Sequence, residues 1–175
     1  MQDRLGFTFQ SVLGAVIPFF LAVLLAILAN VPVSVSGGIV PPPVLALMPI
    51  YYWCLVRPDL MPPFAVLIIG ILQDMLSGSP PGVWTVSFVA AYALVDRERE
   101  SFAGLSGVGA ILGFAAAMLA AGATAYAVVA FYYWHLPPAG PILLEIAVTV
   151  VFYIPIAFLM GLIHRRLVGP LRSEF

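Results

Sequence analysis

Two carboxylates stand inside otherwise apolar stretches of this 175-residue chain: Asp74, in Gly70-Ile71-Leu72-Gln73-Asp74, and Glu145, in Ile142-Leu143-Leu144-Glu145. Paired acids in such surroundings can carry proton or cation chemistry. A carboxylate at the centre of a bilayer costs about 2.5–3.5 kcal/mol on insertion scales and less near the interface, so each acid needs water or a bonded partner. For Asp74 the functional reading is a ligand or partner contact. The reading favoured here is structural, a carboxylate bonding the backbone of the turn at 77–82. Glu145 falls about one turn into its own apolar run, where the helix dipole stabilises an acid. The two acids would line a shared outer cavity if the fold brought them together.

Other reactive residue types are sparse. His135 and His164 fall at opposite ends of apolar runs and cannot share a metal, and Cys54 is alone, so neither a metal centre nor an intramolecular disulfide is expected. The chain has no His-Glu-x-x-His, no Gly-x-Ser-x-Gly and no lysine for a phosphate loop, so neither an enzyme nor a cofactor is expected. A net charge of −1 argues against nucleic acid as a partner.

The elements that position these residues follow from composition. The chain is 63% hydrophobic and 9% charged, with a mean hydropathy of +1.11, whereas soluble domains carry about 25% charged residues. All seven basic residues are arginines, confined to Arg4, Arg57, Arg97 with Arg99, and the group Arg165, Arg166 and Arg172. Cytoplasmic connections are enriched in basic residues. The alternation of arginine-bearing and arginine-free connections predicts an all-α membrane protein. It would have six transmembrane helices in one compact bundle over 1–175, with both termini cytoplasmic. The predicted spans are 11–29, 44–56, 60–76, 83–95, 106–134 and 142–163. The first is longer than a signal-peptide core and is expected to be retained.

The second span is short, which predicts that part of the Pro-rich segment before it lies at membrane depth, buried against protein. Pro62 and Pro63 open span three, and the charge run at 96–100 reads as a solvated cytoplasmic loop. The first turns of span five read as a tilted or interfacial segment. Gly70, Asp74 and Gly78 share a helix face at spacing four, allowing close approach by a neighbour. Gly109, Gly113, Ala117, Ala121 and Ala125 form a longer small-residue stripe on span five, best suited to packing within the chain, and Ala22 and Ala26 form a shorter one. Tyr132, Tyr133 and Trp134 read as an interfacial anchor.

The stretch from Pro41 to Trp84 carries a family resemblance. The aromatic triple Tyr51-Tyr52-Trp53 precedes Arg57-Pro58-Asp59. A span then ends Gly70-x-x-x-Asp74-x-x-x-Gly78, and Pro81-Gly82-Val83-Trp84 enters the next. This pattern resembles the MreD family of bacterial rod-shape-determining membrane proteins, and length and span count are similar over the whole chain. The resemblance implies a non-enzymatic subunit of the cell-elongation machinery in the bacterial inner membrane. That machinery links MreB filaments, through MreC and MreD, to the glycosyltransferase RodA and the transpeptidase PBP2. It also implies a six-helix fold similar to the substrate-binding subunits of energy-coupling-factor vitamin transporters, and it supplies no catalytic residues.

The expected role is therefore a membrane scaffold that binds MreC, surrounded by lipid and taking no small-molecule substrate. Candidate partner or packing positions are Tyr51, Tyr52 and Trp53, Arg57 and Asp59, Gly70, Asp74 and Gly78, and the span-five stripe. A competing reading is a vitamin-binding transporter subunit, with Ala22 and Ala26 docking an energising partner and a solute held near Asp74 and Glu145. Against it, the connections on that side offer few of the convergent polar groups a solute site needs. Intramembrane catalysis is a third class, testable by Asp74→Asn.

Overall fold

The computed structural model describes residues 2–31, 41–103 and 108–168, with side chains described for 16–31, 41–102 and 108–166. The Pro/Ser/Gly-containing residues 32–40 that the sequence reading made an external loop, residues 104–107, the C-terminal residues with Arg172 and the side chain of Arg4 lie outside the described residues. The described residues form seven α-helices, α1 (Gln2–Ala29), α2 (Leu47–Val56), α3 (Pro63–Ser77), α4 (Val83–Arg97), α5 (Arg99–Ala103), α6 (Val108–Tyr133) and α7 (Ala139–Ile163), with a 3-10 turn at Pro58–Leu60 and a π-helical turn at His164–Val168. There is no strand among the described residues.

Proline and glycine set most of the boundaries. Pro62 caps α3 with an extended backbone and Pro63 occupies its first position, where a missing N–H costs nothing. Gly78 ends the helix in the left-handed region at φ 65°, the usual stop for a helix. Two boundaries differ from the sequence reading. Helix α1 begins at Gln2. The 96–100 charge run is helical on both sides of Glu98, because it contains no breaker and an Asp96–Arg99 ion pair at spacing three supports it.

The packing order follows from which helices touch. Helix α4 lies between α3 and α6, α1 adjoins α3, and α7 adjoins α6. Helix α2 touches α1, α4, α6 and α7 and so occupies the middle. It is apolar on every side, the signature of a helix with no exposed face, and Leu47 to Tyr51, Trp53 and Cys54 are all buried. Tyr51 meets the rings of Phe102, Phe114 and Tyr153, and Phe114 stacks on Tyr153 with centroids 4.0 Å apart.

Ten residues give α2 a length of only about 15 Å. Its start lies inside the bundle, where unpaired N–H groups are expensive. The lead-in resolves this locally. Val44 donates its N–H to Thr149 Oγ1 of α7 at 3.0 Å, and Thr149 in turn donates to the Glu145 carbonyl at 2.6 Å. Leu47 and Met48 donate to the carbonyls of Val44 and Leu45, and Pro49 has no N–H to satisfy. The residues just before α2 are thus tied to α7, with Val44 and Ala46 in the core, whereas Pro42 is exposed and Pro41 and Pro43 are half-buried.

By length and hydropathy, Val108–Tyr133 and Ala139–Arg166 are each sufficient to cross a membrane. Large apolar side chains point outward from most of the long helices, among them Phe20, Phe64, Val108, Val151 and Phe158.

Candidate functional site

The α3–α4 hairpin gathers the residues of the Gly-x-x-x-Asp pattern around one carboxylate. Gly82, the residue before α4, has φ 94° and no side chain to cap the helix. Asp74 supplies the cap from α3. Its Oδ1 accepts the Trp84 N–H at 2.7 Å, while Oδ2 accepts the N–H groups of Gly82 at 3.0 Å and Thr85 at 3.1 Å. The Thr85 hydroxyl adds a bond to Oδ2 at 2.6 Å, and Ser79 Oγ lies farther off at 3.5 Å. The Val83 N–H goes to the Pro80 carbonyl. Every N–H that the start of α4 would leave bare is therefore occupied, and the negative charge sits at the positive end of the helix dipole.

The spacing of the pattern has a physical reason. A Cβ added at Gly70 would lie 2.6 Å from Thr85 Cα, a backbone atom that cannot swing away. Gly70 lets α4 come close enough for Asp74, one turn later on the same face, to reach Trp84 and Thr85. Gly78 then reverses the chain. Asp74 is buried, and both its oxygens are bonded within the hairpin.

The aromatic triple and the α6 stripe meet each other. The Tyr51 hydroxyl donates to the Ala110 carbonyl of α6 at 3.1 Å, and a Cβ at Gly113 would overlap that same hydroxyl. Gly113, Ala117, Ala121 and Ala125 are buried, while Gly109 is half-buried at the stripe's start. Trp53 is fully buried, its ring edge-on to His164 at 5.6 Å. Only Tyr52 of the triple is half-buried. Tyr51, Trp53, Gly113, Ala117, Ala121 and Ala125 therefore face the inside of this chain. Ala22 and Ala26 are likewise in the core.

Arg57 and Asp59 close the turn between α2 and α3, with Arg57 Nη2 2.8 Å from Asp59 Oδ2 and Nε 3.0 Å from Oδ1. The hydrogen bonds from Arg57 hold the Asp59 carboxyl below its ordinary range, and the same bonds raise the guanidinium. Asp74 and Glu145 do not face one cavity. The bonds of Asp74 run to residues 79–85, and Glu145 rides on α7, whose neighbours are α6 and α2. No group of His, Cys, Asp or Glu among the described residues is placed to hold a metal ion.

Sequence reasoning missed Thr85, Thr149 and Gly122. A Cβ at Gly122 would meet Ile146 of α7 at 2.7 Å, so this glycine seats α7. The signal for Thr85 was present, since Trp84 and Thr85 occupy the second and third positions of a helix that starts after a glycine. No protein-family model, curated protein or solved structure matches this chain.

Proposed function

We propose that this chain is a six-span protein of the bacterial inner membrane with both termini in the cytoplasm. It acts as a non-enzymatic, MreD-like scaffold that binds the single-span protein MreC and helps position peptidoglycan synthesis by RodA and PBP2. The observation that carries the membrane part is α7. Apart from Glu145 and Thr149 it is apolar all round, yet only Thr149, Tyr153 and Met160 among its described residues are buried. Water-exposed apolar patches rarely exceed a few hundred Å², so a helix of this kind calls for lipid or another protein.

The family part rests on the α3–α4 hairpin. Of the residues that carry the resemblance, Gly70, Asp74, Gly78, Gly82 and Trp84 act together in one capped turn, while Tyr51 to Trp53 lie on α2 and Arg57 to Asp59 in the turn that follows it. A pattern that builds scaffold rather than a reaction centre is in keeping with a subunit whose task is to hold others in place.

The test is genetic and biochemical together. Depletion of the chain should round a rod-shaped host, and re-expression should restore rods. Affinity purification from membranes should recover MreC. Normal rods on depletion, together with no MreC in the eluate, would reject the reading.

A further inference from the structure

We propose that Tyr52 and Arg165, over the gap left by Gly161, form a binding site for the phosphate of an anionic phospholipid. The inference rests on the membrane part of the reading above and is independent of the scaffold part. Arg165 lies in the π-helical turn that follows α7, and Tyr52 stands near the end of α2. Among the described residues, only the Tyr52 hydroxyl comes within 4 Å of a Cβ built at Gly161, and it is 3.9 Å away. Arg165 Nε donates to the Gly161 carbonyl at 3.2 Å. That bond brings the guanidinium over the same glycine and covers a carbonyl that would repel an anion. The result is a notch floored by Gly161 and walled by a phenol and a guanidinium. The terminal nitrogens of Arg165 have no partner among the described residues, and a guanidinium holds phosphate through paired N–H bonds.

The surroundings are rich in donors and poor in acceptors. Trp53 Nε1 and His164 Nδ1, whose rings meet at this end of the bundle, are buried with no partner among the described residues, and an indole nitrogen can only donate. Arg57 is close enough for its charge to act on His164, and its own ion pair with Asp59 uses that carboxylate. No acid among the described residues is paired with Arg165 or Arg166. The charge run at 96–100, by contrast, pairs Arg97 with Glu98 and Arg99 with Asp96. The uncompensated positive charge is therefore concentrated where α7 ends.

Depth selects a lipid as the source of the phosphate. Phe158 shares a helix face with Gly161 and Arg165 at spacings of three and seven, and it is 68% exposed. An anion in the notch thus sits where an apolar side chain gives way to arginine. A phosphodiester carrying acyl chains satisfies both sides of that border, as anionic headgroups do in basic pockets beside transmembrane helices. Free phosphate would satisfy the arginine alone.

The experiment purifies the full chain in micelles that mix phosphatidylglycerol with phosphatidylethanolamine and counts retained lipid by native mass spectrometry. The unaltered chain should keep phosphatidylglycerol in preference. Arg165→Gln, which removes the charged donor, should lower that retention about tenfold, and Tyr52→Phe about threefold. Gly161→Leu keeps every charge, fills the notch and should cost as much as Arg165→Gln. Arg97→Gln, at an exposed arginine elsewhere, should leave retention unchanged. Thermal unfolding in lipid-free micelles should be the same for Arg165→Gln, Tyr52→Phe and the unaltered chain, so that lost lipid reports a lost site. Excess inorganic phosphate should not displace the lipid; displacement would overturn the lipid as occupant. Undiminished retention in the three notch variants, an equal loss with Arg97→Gln, or no preference for phosphatidylglycerol would overturn the site and leave the membrane reading intact. A chain that never enters the membrane fraction would overturn both.

Discussion

Helices α2 and α7 are written in the same apolar alphabet and end in opposite surroundings. Helix α2 has ten residues and is enclosed on all sides; α7 has twenty-five and is mostly bare. Neither has a polar stripe, so neither sequence states which side faces inward. The difference comes from connection and length. Helix α2 is preceded by a lead-in that hydrogen-bonds to Thr149 and is closed off by the Arg57–Asp59 turn. Those two anchors hold it in the middle, and α7 follows as an outer wall. What hydrophobicity means here thus depends on position: packing against protein in α2, and a face that this chain leaves uncovered in α7.

Substitutions should separate the two helices by size of effect. The largest is Gly113→Leu, which drives a branched side chain into the space of the Tyr51 hydroxyl and should leave no monodisperse protein in size-exclusion chromatography. Next, Leu47→Ala hollows the α2 core and should cost about 2–4 kcal/mol in denaturant unfolding in micelles. Asp74→Ala strips the cap from α4 and should cost about 2–3 kcal/mol by the same measurement, with Asp74→Asn retaining part of it.

Phe158→Ala, on the bare side of α7, should change stability by no more than about 0.5 kcal/mol; a loss as large as that of Leu47→Ala would erase the contrast between the helices. The smallest effect is the Arg57–Asp59 clasp. Because the Asp59 carboxyl is held below its ordinary range, its contribution is present above the unfolded-state value near 4. It is lost as pH falls through the lower folded-state value. Asp59→Asn should remove that acid-side slope and leave the midpoint at neutral pH nearly unchanged, since the carboxylate is half exposed.

Much of this was legible in the sequence. Apolar runs bounded by Pro62-Pro63, Gly78, Gly82 and Pro138 located the helices to within a few residues, the start of α1 and the continuation through 96–103 apart. The spacing of Gly70, Asp74 and Gly78 pointed to a close helix contact and a carboxylate at the turn. The partner of that contact was not legible, because Thr85 becomes adjacent only once the hairpin closes. The tie between Val44 and Thr149, over a hundred residues apart, has no local signal at all. Whether Tyr51, Trp53 and the α6 stripe pack within the chain or against a partner is not legible, because small and aromatic residues serve internal and external packing alike. Periodicity gives a face, not the neighbour that covers it.

The central claim is that lipid surrounds these helices and that the arginine-bearing connections share one side. Single cysteines at Asp59, Glu98, Ser79 and His135, in a Cys54→Ala background, can be labelled in sealed vesicles of known orientation with a membrane-impermeant maleimide. The account predicts that Asp59→Cys and Glu98→Cys react only from the cytoplasmic side and that Ser79→Cys and His135→Cys react only from the opposite side. Labelling of all four from one side would contradict it.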